Sequence, residues 1–114
     1  MKSLVVHIMG AEWTLDFCAP DEDERLEDND GYTDWSERRM CVLNPKPDNQ
    51  SVKNLNEYRK KVTRHEIIHA FLYECGFSEC SGKSDAWAMN EEMVNWLAHK
   101  GPQIVAAWKE ANAL

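Results

Sequence analysis

Nowhere in these 114 residues does an apolar run approach the roughly 18 that a membrane-spanning helix requires. Basic charge is also scarce. Thirteen Lys and Arg stand against 20 Asp and Glu, for a formal net charge of −7. A phosphate-backbone binder needs a clustered basic face. The densest basic patch, Arg59, Lys60, Lys61 and Arg64, suits the solvated side of a helix instead. Nucleic acid and membrane are therefore not the expected partners. The cysteines Cys18, Cys41, Cys75 and Cys80 contain no C-x-x-C pair, and they read as reduced thiols behaving as small buried hydrophobes. The opening MKSLVVHIMGAEWTLDF is too interrupted for a signal peptide, so a cytoplasmic location is expected. No internal repeat or low-complexity tract is visible.

What is present suffices for one modest core: 43% hydrophobic residues, five of them Trp. Residues 1–114 are read as a single domain. KSLVVHI (2–8) and AEWTLDF (11–17) read as strands joined by a turn at Met9-Gly10. The acidic DEDERLEDNDG (21–31) is too polar to join a core and reads as a loop. RMCVL (39–43) is a third strand, closed by the turn residues NPKPDN. A helix capped by Ser51 then runs to about Cys75, stopped by Gly76 with Phe77 folding back. A second helix is expected near 85–99. Gly101-Pro102 ends it and starts a third, with Ile104, Val105 and Trp108 inward. Trp87, Trp96 and Trp108 fit core packing, whereas Trp13 and Trp35 have no assigned place. Strands first and helices after predict an α+β domain, a small antiparallel sheet followed by three helices.

The first of those helices carries His65-Glu66-Ile67-Ile68-His69. Leu55, Tyr58, Val62, His65, His69 and Leu72 recur at steps of three and four and are expected to form one core-facing stripe. Histidines four apart project from one side of a helix, in reach of a single ion. Glu66, one step round, is placed to address water rather than the metal. Zinc lowers the pKa of its water, and a nearby carboxylate can take the proton as that water attacks a carbonyl. A third ligand is needed. On the second helix Glu91 shares a stripe with Trp87, Val94 and Ala98, Glu92 lies beside it, and His99 is a further possibility. Asn95 could hold a ligand histidine by its outer ring nitrogen.

RHEIIHAFLYECG followed by NEEMVNWLA resembles the small zinc metallopeptidases of the ImmA/IrrE type, more closely their short phage- and prophage-encoded relatives. In that family the HExxH helix precedes one reading roughly E-x-x-A-N-x-F-A, whose Glu is the third ligand. Residues 91–98, EEMVNWLA, match with Val94 for Ala and Leu97 for Phe. The resemblance implies a minimal zincin-like fold, with RMCVL beside the active helix. It also implies zinc held by His65, His69 and Glu91, and Glu66 as catalytic base, in a bacterial or phage-infected cell. It is firm over 61–98 and only topological over 1–50. The chain lacks the helix-turn-helix of some relatives, and Tyr58, Tyr73 and His99 are the candidates for stabilising an oxyanion. Two functions are therefore expected: a zinc-dependent peptidase acting on a protein partner, by family analogy a regulatory one; or a non-catalytic, zinc-stabilised phage interaction or regulatory module.

Overall fold

Met9 and Gly10 both adopt positive φ, 51° and 85°, as a two-residue type I′ connection requires. A computed structural model, describing residues 2–44, 54–77 and 91–114, accordingly pairs β1 (Lys2–Ile8) antiparallel with β2 (Ala11–Cys18). Both strands and β4 (Arg39–Leu43) fall where the sequence predicts them. Between them lies β3 (Gly31–Asp34), a strand the sequence pattern does not announce. Its residues Gly-Tyr-Thr-Asp carry no hydrophobic alternation and follow an acidic run.

β3 pairs antiparallel with β4 on its outer side, giving the order β1-β2-β4-β3. The chain must travel to the far edge and come back, so β4 runs parallel to β2. The sheet is mixed, which corrects the antiparallel expectation. The acidic segment is corrected too. Glu24–Leu26 forms a 3-10 turn capped by Asp23, and Leu26 is buried with Cys18 and Cys41. Those two thiols are free and 3.5 Å apart. Burial, then the neighbouring Cys18, pushes the Cys41 thiol up to about 12.

Alternation along the strands divides the sheet into two faces. Trp13, Leu15, Phe17, Met40 and Val42 form the apolar face, packed against Ile67, Ala70 and Phe71 of α1 (Leu55–Glu74). On the other face Asp16 accepts from Arg39 Nε at 2.6 Å, and Arg39 donates to the Tyr32 hydroxyl at 2.6 Å. This polar network ties β2, β4 and β3 together.

Helix α1 is capped by Asn54, whose side chain accepts from the Glu57 amide at 3.2 Å. Ser51, the expected cap, lies outside the described residues. The helix stops as predicted: Gly76 takes φ 85°, and its amide donates to the Tyr73 carbonyl at 3.1 Å. Helix α2 (Glu91–Glu110) runs unbroken through Pro102, correcting the division expected at Gly101-Pro102. An internal Pro forfeits one helical hydrogen bond. Burial of Ile104, Ala107 and Ala111, with Trp96 and Trp108 packed against the same core, offsets that loss. Val105, expected inward, is 39% exposed. Residues 85–90 and Trp87 lie outside the described residues. The result is a small α+β domain: a four-stranded mixed sheet with helices on one face.

Candidate metal and catalytic site

Helix α1 buries Thr63, Glu66, Ile67, Ala70 and Phe71, and exposes His65 and His69. The expected stripe through Leu55, Tyr58, Val62 and Leu72 is therefore not the core face; those residues are only half-buried. The reason lies in shape. Thr63, Ile67, Ala70 and Phe71 form an i, i+4, i+7, i+8 surface that fits the sheet closely, while the stripe of histidines follows the helix margin. That margin is open to solvent at both histidines.

On it the two Nε2 atoms approach to 3.1 Å, with the rings crossing at 70°. Nitrogens so spaced, each at a Zn–N length of roughly 2.0–2.1 Å, would subtend roughly 100° at one ion, close to tetrahedral. The same spacing suits an N–H···N hydrogen bond between neutral rings. The donor pair thus fits zinc without rearrangement.

Glu66 differs from its neighbours: it is only 5% exposed. Thr33 on β3 donates its hydroxyl to Glu66 Oε1 at 2.9 Å, and the Glu66 carbonyl lies 3.2 Å from the same oxygen. One hydroxyl proton serves one acceptor at a time, and the shorter contact is to the carboxylate. Gly31 makes the room. A Cβ there would stand 3.1 Å from Glu66 Oε2 and 3.0 Å from Val62 Cγ1. Among the described residues no cation pairs with this carboxylate. Thr33 and Gly31 carry no signal in the sequence, because their role depends on a strand that the pattern hides.

Among the described residues no strand pairs with the outer edge of β3, which lies beside the motif. The Leu43 amide donates to the Asp30 carbonyl at 2.8 Å. The hydrogen-bonded pairs therefore continue as Tyr32 with Cys41 and Asp34 with Arg39. Gly31 and Thr33 turn their backbone N–H and C=O groups away from β4, toward that edge. A pocket of about 280 Å³ opens between Tyr58, Lys61, His65 and Glu66. A larger hollow of about 460 Å³, bordered by His7, Met9, Phe71 and Lys100, includes none of the motif.

The remaining predicted residues are less gathered. The Tyr58 hydroxyl donates to the Asp30 carboxylate, and that bond holds its pKa above the ordinary value. Tyr73 lies against Trp35. Glu91 opens α2, but its side chain lies outside the described residues. Glu92, Asn95 and His99 are exposed on α2. Cys75 turns its thiol to the Leu72 carbonyl at 3.5 Å, and Cys80 is outside the described residues. Among the described residues no three His, Cys, Asp or Glu side chains converge as a metal site. Also among them, no helix is long and apolar enough to cross a membrane.

Fold and site together define a small α+β domain with a paired-histidine centre beside a buried acid. Comparison with protein-family models, curated proteins and solved structures finds no match.

Proposed function

We propose that the chain is a zinc-dependent metallopeptidase of the gluzincin kind, with a minimal zincin-like fold of the ImmA/IrrE type, hydrolysing a peptide bond in a protein partner. The observation that carries this reading is the Glu66 carboxylate, buried with no paired cation among the described residues and hydrogen-bonded by Thr33, one residue from His65 and three from His69. Burying a carboxylate is costly unless it is hydrogen-bonded, and the Thr33 hydroxyl supplies that bond.

His65 and His69 would hold the ion with Glu91 as third ligand, and Asn95 would steady a histidine from behind. Zinc, when bound, would supply Lewis acidity that polarises the scissile carbonyl and acidifies water. Glu66 takes the proton from the attacking water and returns it to the amine nitrogen as the C–N bond breaks. Thr33 fixes the carboxylate that does this. The substrate lies extended along β3, bonded to the outward N–H and C=O groups of Gly31 and Thr33.

The test is a peptide library incubated with the zinc-loaded chain, its products read by mass spectrometry. Glu66→Gln should retain zinc and lower cleavage by roughly 10²–10⁴-fold. Zinc binding with no Glu66-dependent cleavage would instead leave a zinc-stabilised interaction module. Glu91→Gln should weaken zinc more than Glu92→Gln; the reverse would move the third ligand to Glu92.

A further inference from the structure

Val62, Glu66, His69 and Tyr73 follow one another at steps of four, three and four along α1, so they share one margin of the helix. β3 runs beside that margin in the same direction. Gly31 sits against Val62 and Glu66, Thr33 bonds Glu66, and Trp35, just past the strand, meets Tyr73 with ring centroids 6.4 Å apart. Trp35 is 59% exposed, the most exposed of the large hydrophobic side chains among the described residues. Tyr73 is half-buried against the core, and the pair forms an apolar shelf. Two of the cations around it are already paired. Arg38 Nε donates to Glu74 at 2.6 Å, Glu74 also accepts from Trp13, and Arg25 faces Asp34 at 3.4 Å. Nothing in that set invites a charged occupant.

A strand added to the β3 edge repeats its side chains every second residue, roughly 6.4–6.8 Å apart. Trp35 stands two residues beyond Thr33. We infer that Trp35 and Tyr73 form the subsite for a large apolar side chain of the substrate, two residues along the extended peptide from the bond that Glu66 addresses. This rests on the peptidase reading and names its substrate class: segments with an aromatic or large aliphatic residue at that position. Trp35 is the specificity-determining residue, because its exposed ring supplies most of the contact.

The experiment uses the full chain loaded with zinc and peptide hydroxamates carrying Phe, Gly or Asp two positions from the chelating group, on either side of it. Affinities are measured by calorimetry. In one of the two series Phe should bind roughly tenfold or more tighter than Gly, and Asp no better than Gly. Trp35→Ala should reduce the Phe advantage to about twofold or less, and Trp35→Phe should restore most of it. Equal binding of Phe, Gly and Asp in both series, or a Phe advantage that survives Trp35→Ala, overturns the subsite alone. Hydroxamates that fail to bind at all, or bind equally after His65→Ala, overturn the peptidase reading and the subsite with it.

Discussion

The two faces of α1 follow different rules. The inner face, Thr63, Ile67, Ala70 and Phe71, is chosen for shape and closes against Trp13, Met40 and Val42. The outer margin, with exposed His65 and His69, contributes little to the core and instead brings two ring nitrogens together. Glu66 belongs to both, buried like the first set but positioned by a neighbouring strand for the second. Stability and the proposed chemistry are thus assigned to residues one or two apart in sequence, and they should respond to substitution independently.

The largest expected effect is on the inner face. Phe71→Ala should destabilise the fold by about 3–5 kcal/mol, the usual cost of a cavity left by a buried aromatic. Urea unfolding would show it, while zinc affinity of the folded fraction stays within about twofold. On the outer margin the pattern inverts. His65→Ala should weaken zinc more than about a hundredfold, beyond the effect of losing a supporting partner. Its metal-free stability should change by no more than about 0.5 kcal/mol, as for other exposed sites. Isothermal titration and urea unfolding on the same sample would give both values. If His65→Ala unfolded the metal-free chain, the division between the faces would be wrong.

Thr33→Val probes the residue shared by both faces. It strips the hydroxyl from a buried carboxylate and should cost about 1–3 kcal/mol, with Thr33→Ser recovering most of it. The smallest effect is at the polar end of the inner face, where Glu74 receives Arg38 and Trp13. The Arg38 guanidinium, then the Trp13 indole, hold the Glu74 carboxyl below its ordinary value of 4.5. A carboxyl lowered on folding adds stability in full above its ordinary value and loses it as pH falls through the folded one. Glu74→Gln should therefore flatten the acid limb of the stability curve below about pH 4.5. Thermal melts across that range would show an unchanged slope if the ion pair contributes nothing.

Much of the fold was legible because its signals are local. β2 alternates apolar and polar residues, β1 and β4 carry short apolar runs, Met9-Gly10 fits a tight turn, and Gly76 marks the end of α1. β3 was not, since its pairing with β4 is a contact its own four residues do not advertise; without it the sheet reads as antiparallel. Pro102 misled in the other direction, a local breaker overruled by the burial of Ile104 and Ala107. At the site, the HExxH spacing placed His65, Glu66 and His69 together on one helix. The face they occupy was misjudged because Tyr58, Val62 and Leu72 are apolar beside the histidines yet only half-buried. Gly31 and Thr33 inherit the obscurity of β3.

The paired histidines of α1 carry the central claim, and metal analysis of the purified chain addresses it directly. Elemental measurement after exhaustive dialysis should find about one zinc per chain in the wild type and in Glu66→Gln, and essentially none in His69→Ala, because two ligands remain where three are needed. Zinc absent from the wild type, or retained equally by His69→Ala, would contradict the account.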